Sequence, residues 1–148
     1  MRDSLEIIEF TNEHSAQIVN SMNDRILSID DKYFDLLKGL EVKDMSFTAV
    51  KDNKIICSGG VIPLWEGVFE GWVMATHLIW KNRIGAAKVI KAGMENLIRK
   101  NKIIRLQTAV KKEFPLGHRF AEWLGMQNEG LMKKYQNNED YIRYARVK

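Results

Sequence analysis

Hydrophobic residues are spaced differently in different stretches of the chain, and each spacing predicts a different element. The densest apolar run, Val68 to Trp80, does not alternate. A strand covered on both faces reads this way, because neither face meets water. Lys81-Asn82-Arg83-Ile84-Gly85 breaks the run. From Ala86 to Lys100 the apolar positions Ala87, Ile90, Met94, Leu97 and Ile98 recur three or four apart, with Lys88, Lys91, Glu95 and Arg99 largely between them. That spacing predicts a helix with one face on a core. Lys102 to Val110 returns to strand composition. Strand, long helix and strand make a crossover unit, with two parallel strands joined on the right-handed side.

The flanks read as antiparallel structure. Leu5 to Phe10 predicts a first strand, and Thr11 or Asn12 caps a helix carrying Ala16, Ile18, Val19 and Met22. Asn23-Asp24 ends it. Asp30 or Asp31 opens a second short helix through Leu37, stopped near Gly39. Met45 to Lys51 alternates with period two, Asp52-Asn53 turns, and Lys54 to Ile62 returns as the second arm of a hairpin. Pro63 and Gly67 bracket the connection to the central run. Pro115 precedes a short helix, opened by His118, that bears Phe120, Trp123 and Leu124 and is closed by Gly125. Gln127 to Tyr135 and Asp140 to Val147 make a last hairpin around Gln136-Asn137-Asn138. The order β-α-α-β-β-β-α-β-α-β-β predicts an α/β (α+β) fold. Its sheet is mixed, mostly antiparallel, and parallel only at the crossover.

Composition narrows the class. The 148 residues suit a single domain, 1–148, with a sizeable core. Hydrophobic residues at 45% and charged residues at 28% are the proportions of a soluble globular chain. No apolar run is long enough to span a bilayer, and the first residues show no apolar leader. One cysteine, Cys57, allows no internal disulfide, in keeping with a cytoplasmic protein. The net charge of +4 favours acidic ligands, but cationic and anionic residues are interspersed, which argues for a solvated surface over a nucleic-acid track. Three histidines and one cysteine show no metal-ligand spacing.

The crossover helix has a chemical consequence. The N–H groups of its first turn lack carbonyl partners, and the macrodipole places positive potential there. Gly85 lets backbone approach a ligand, and Lys81, Arg83 and Lys88 add charge, so a phosphate-bearing ligand fits at Asn82 to Ala87. A plain turn glycine is the other reading of Gly85.

Two local patterns, set in this order of elements, carry a family likeness. Asn82-Arg83-Ile84-Gly85-Ala86-Ala87 resembles the acetyl-CoA loop of the GCN5-related N-acetyltransferase (GNAT) superfamily. That loop reads Arg or Gln, two residues, Gly, one residue, Gly or Ala; Asn82 replaces the Arg or Gln, and the loop after Trp80 is shorter than usual. Arg119 to Met126, followed by Glu129-Gly130 and a strand, resembles the family's short helix ending in Leu-Gly-Phe before its last hairpin. Element order extends the resemblance over nearly the whole chain. Within the superfamily, Gly71-Trp72 to Trp80, the short loop and Arg119-Phe120 to Gly125 resemble small podophage proteins of the internal virion protein A type.

The resemblance implies a GNAT-like sheet with helices on both faces and acetyl-CoA as co-substrate. An amine would attack the thioester carbonyl directly. Cofactor contacts are implied at Leu78, Ile79, Trp80, Asn82, Arg83, Ile84, Gly85, Ala86 and Ala87, with a backbone N–H near Leu78 to Trp80 polarising the thioester oxygen. Glu70, at the start of the central strand, is the candidate base, directly or through water, with Glu66 a weaker version; a solvent-facing carboxylate is its plain reading. The family often places a tyrosine acid where this chain has Ala121. His118 is the candidate substitute, or simply a capping histidine.

Other residues keep two readings. His77 is either a tunable group or a hydrogen-bonded core histidine in an apolar strand. Cys57 reads as a small buried side chain with nothing adjacent to activate it. Trp65, Trp72, Trp80 and Trp123 read as core or groove wall, with Trp65 a substrate contact. Lys111-Lys112 and Lys133-Lys134 suit the 3′-phosphate of CoA, an acidic partner or a solvated edge. The leading function is an acetyl-CoA-dependent N-acyltransferase with a small-molecule or protein amine as substrate. The alternative is a non-catalytic phage protein of the same fold, acting in virion assembly or on a host partner. Nucleic-acid binding rests on charge alone. An exposed edge strand offers a route to a homodimer.

Overall fold

The computed structural model describes residues 5–21 and 43–148. The expected second helix at 33–37, its ends at Asp30 or Asp31 and Gly39, and the break at Asn23-Asp24 lie outside the described residues. Among the described residues seven strands form one sheet in the order β1-β2-β3-β4-β5-β7-β6. They are β1 (Glu6–Ile8), β2 (Ser46–Lys51), β3 (Lys54–Trp65), β4 (Val68–Ala75), β5 (Arg105–Lys111), β6 (Gln127–Gln136) and β7 (Glu139–Val147). The helices are α1 (Asn12–Ser21), α2 (Arg83–Lys100) and α3 (Pro115–Trp123). β4 and β5 pair in parallel, whereas β1/β2, β2/β3, β5/β7 and β6/β7 are antiparallel. The mixed, mostly antiparallel sheet is therefore the one expected. Among the described residues no helix is long and apolar enough to cross a membrane.

The central run departs from its expectation. β4 stops at Ala75, and His77–Trp80 forms a 3₁₀ turn. Thr76 makes the switch: its hydroxyl donates to Ile55 O at 2.9 Å and accepts the Leu78 N–H at 3.3 Å. An apolar run cannot distinguish the end of a covered strand from a turn held by one side chain. α2 also begins earlier than expected, at Arg83, because Asn82 O already accepts the Ala86 N–H at 2.8 Å.

The residues divide between two compact units, Met1–Ile62 with Trp72–Met94 and Pro63–Gly71 with Glu95–Lys148. In the first, the β2–β3 hairpin turns on Asp52 and Asn53, both at positive φ, as a two-residue type I′ turn requires. Phe10, Ile18, Phe47, Ile56, Val61, Met74, Ile90 and Met94 form its core. The Phe47 ring needs two glycines. A Cβ on Gly93 of α2 would stand 2.7 Å from the ring, and one on Gly59 of β3 3.0 Å away. The fully buried hydroxyls of Thr48 and Ser58 satisfy each other at 2.8 Å, and Thr48 reaches His14 Nδ1 at 2.9 Å, so burying them costs little.

In the second unit, Phe69, Leu97, Ile103, Leu106, Leu124, Met126 and Tyr144 are buried. α3 ends in a Schellman motif: Met126 N–H reaches Ala121 O at 3.0 Å, Gly125 N–H reaches Glu122 O at 2.9 Å, and Gly125 takes φ +85. The last hairpin turns on Asn137 and Asn138, again both at positive φ.

Candidate active site

Within the first unit, the residues from Trp80 to Gly85 gather at the mouth of α2. Asn82 lends the helix its carbonyl, so the N–H groups of Arg83, Ile84 and Gly85 have no carbonyl of their own helix to reach. Its side chain is spent on the protein: Nδ2 donates to Leu78 O at 2.9 Å, and Oδ1 accepts from Lys51 Nζ at 3.3 Å. Asn82 thus holds the 3₁₀ turn and β2 against the helix start. Gly85 has no packing reason to be glycine, since a Cβ there meets only Leu5, at 3.8 Å. The side chains of Lys81, Arg83 and Lys88 are exposed, as are Trp80 and, at 74%, Ile84. Outward N–H groups, nearby cations and an open glycine are what a pyrophosphate requires, so these residues fit the acetyl-CoA that the loop pattern implied.

Three of the expected cofactor contacts stand in surroundings other than the strand end expected for them. The N–H groups of Leu78 and Ile79 lie in the turn and not on the strand, and they donate to Thr76 Oγ1 and Thr76 O, at 3.3 and 3.1 Å. Both N–H groups thus have an acceptor within the protein. Ala86 is buried in the core, with its N–H on Asn82 O. His77 is exposed at the head of the turn, so it is not a core histidine.

Within the second unit, Glu70 is half-buried at the parallel junction. β4 and β5 pair over Val68–Glu70 and Arg105–Gln107. One step on, the Thr108 side chain replaces the backbone rung, donating to Gly71 O at 3.0 Å. Glu70 Oε1 accepts from Gln107 Nε2 at 3.3 Å and from Arg143 Nη1 at 3.4 Å. Gln107 Oε1 in turn accepts from Arg105 Nε at 2.8 Å, and Arg105 grips Glu129 with both terminal nitrogens. Arg143 also lies 5.7 Å over the Tyr135 ring. Burial pushes the Glu70 carboxyl above its ordinary range, and Arg143, then Gln107, pull it back in part. Gln107, Arg143 and Arg105 are the residues that sequence reasoning missed. The only local signal was that Arg105 and Gln107, two apart, share a face of β5.

His118 is tied at both ring nitrogens. Nε2 lies 2.9 Å from Lys112 O, an acceptor only, so Nε2 carries the hydrogen. In the neutral ring Nδ1 then accepts the Tyr144 O–H, also at 2.9 Å. The histidine joins α3 to β7 and to the chain after β5. Tyr144, buried on β7, has its own pKa raised by that burial. Ala121, where the tyrosine acid was expected, is buried in the core.

The remaining candidates separate by exposure. Trp65 is 69% exposed at the end of β3, and Trp80 and Trp123 are exposed too, so of the two readings, core or groove wall, these three do not take the core one. Glu66 is exposed. Cys57 is fully buried, its thiol pushed up to about 12 by that burial. Lys111 pairs with Glu139 at 2.9 Å, while Lys112, Lys134 and Lys133 lie at or near the surface.

No protein-family model matches the chain, and no curated protein matches it either. Solved structures do. A chimeric spermidine N-acetyltransferase from Vibrio cholerae superposes with TM-score 0.75 at 14% identity, over 97% of this chain and 95% of that one. A ribosomal-protein-alanine N-acetyltransferase from Brucella melitensis gives 0.74 at 13%, over 97% and 100%. A GNAT-family acetyltransferase from Bacillus anthracis gives 0.68 at 18%, over 97% and 95%. The chain has the fold of GNAT acetyltransferases.

Proposed function

We propose that this chain is an N-acyltransferase of the GNAT superfamily, taking acetyl-CoA as acetyl donor and an amine as acceptor, in the cytoplasm. The open first turn of α2 carries the reading, because its donors and cations suit a pyrophosphate and nothing in the protein's own packing asks for Gly85. The bound donor would supply an activated thioester. The N–H groups of Arg83, Ile84 and Gly85 would hold its phosphates, with Lys81, Arg83 and Lys88 balancing their charge. Trp80 and Ile84 offer apolar surface beside that turn. Glu70 would take the proton of the incoming amine, directly or through water, and a carboxyl raised by burial is suited to receiving one near neutral pH. His118 would serve as acid only by releasing Lys112 O, so the departing thiolate draws its proton more readily from water. The acceptor is an amine of a small molecule or protein; spermidine and a ribosomal-protein alanine, in the names of two structural neighbours, are both amines.

Calorimetric titration with acetyl-CoA tests the reading. Saturable binding is expected, and Gly85→Glu should weaken it by about 100-fold while leaving the melting temperature unchanged, since position 85 has room. Absence of binding at roughly millimolar acetyl-CoA overturns it. Two observations favour a second reading, a non-catalytic phage protein of the same fold acting in virion assembly or on a host partner. Both nitrogens of His118 are occupied, and Ala121 stands where the acid is expected. That reading predicts binding without acetyl transfer to any amine.

A further inference from the structure

At the other end of α2, wholly within the second unit, lies a cavity of about 340 Å³. That is within the range small ligands occupy, roughly 300 to 1,000 Å³. Ile98 in the last turns of the helix and the exposed Ile104 after it give it an accessible apolar lining, over the buried Ile103 and Leu106. Around that lining stand four cationic side chains, Arg99, Lys102, Arg146 and Lys148, against one acidic side chain, Glu95. Arg146 is already neutralised, since Nη1 and Nη2 each bond a Glu95 oxygen at 2.8 Å. Arg99, Lys102 and Lys148 make no ion pair among the described residues, and Arg99 spends one nitrogen on the neutral Asn96 Oδ1 at 2.8 Å.

Apolar walls and unpaired cations define the missing partner by complementarity. A neutral apolar molecule would leave the cations unanswered, and a phosphate alone would leave the lining unfilled. We propose that this cavity is a second ligand site, which takes a small carboxylate with an apolar body, such as a medium-chain acyl anion, its chain against Ile98 and Ile104 and its carboxylate between Arg99 and Lys102. The mouth residues Asn82 to Ala87 belong to the first unit and the lining of this cavity to the second, so the two sites share no residue. The inference does not depend on acetyl transfer.

Octanoate, octanol and octylamine, titrated separately into the full chain by calorimetry and thermal shift, test it. Octanoate should saturate one site and raise the melting temperature, with the alcohol and the amine each weaker by about tenfold or more. Replacing two exposed side chains, Arg99→Glu with Lys102→Glu, should weaken octanoate by about tenfold or more and leave acetyl-CoA titrations as they were. Equal binding of octanoate and octanol would overturn the proposal, as would no saturation below roughly 10 mM octanoate. So would a double variant that keeps its octanoate affinity. The comparison of octanoate with octanol needs no variant, so it decides the question even if the double substitution harms folding.

Discussion

Glu70 is a carboxylate pulled two ways. Burial raises its pKa, and Arg143 and Gln107 lower it without cancelling the rise. If it is the base, acetyl transfer should climb with pH as this group ionises, with its midpoint above the ordinary carboxylate range. Arg143→Ala removes the strongest opposing pull, so that limb of a pH–rate profile should move to still higher pH. Glu70→Gln should cost about 100-fold or more in turnover while acetyl-CoA titrates unchanged. For stability the sign follows from proton uptake. The folded state holds the Glu70 proton more tightly than the unfolded chain, so this contribution is full below the unfolded carboxyl value and is lost as pH rises through the raised one. Comparing urea midpoints of the native chain and Glu70→Gln across that range checks the sign. Glu70 itself was legible as the one carboxylate in a long apolar run. Its partners were not, because Gln107 and Arg143 reach it through pairing between strands far apart in sequence.

Among the elements, those whose ends are written in local chemistry were read correctly. The turns at Asp52-Asn53 and Asn137-Asn138 use residues that tolerate positive φ, and Gly125 closes α3 as a glycine stop should. Gly125→Ala has room for its methyl, the nearest atom being Arg146 Cδ at 3.5 Å, so its cost is backbone strain alone. A loss of about 1 to 2 kcal/mol is expected by chemical denaturation. The end of β4 was misread because its signal lies in a hydrogen bond from Thr76 to Ile55, a residue 21 positions earlier. Without that contact, Val68 to Trp80 remains one apolar run.

For the molecule as a whole, element order carried most of the information. One parallel pair among antiparallel neighbours was expected from the crossover, and the sheet has it. What order could not convey is closeness. The approach of α2 to the Phe47 ring depends on Gly93, and periodicity treats that glycine as a mild helix defect. Gly93→Val should therefore destabilise the fold by about 1 to 3 kcal/mol, where helix propensity alone would forecast a small gain. A melting temperature lowered by roughly 2 to 4 °C per kcal/mol is the readout.

The buried thiol of Cys57 has a practical corollary. As the chain's only cysteine, sealed in the core and held protonated, it should resist alkylation by iodoacetamide until the protein unfolds, as intact-mass spectrometry would reveal. Toward thiol reagents the native molecule is a blank background. A fluorophore attached through Ile84→Cys would then report only on the mouth of α2, and one attached through Lys102→Cys only on the cationic cavity.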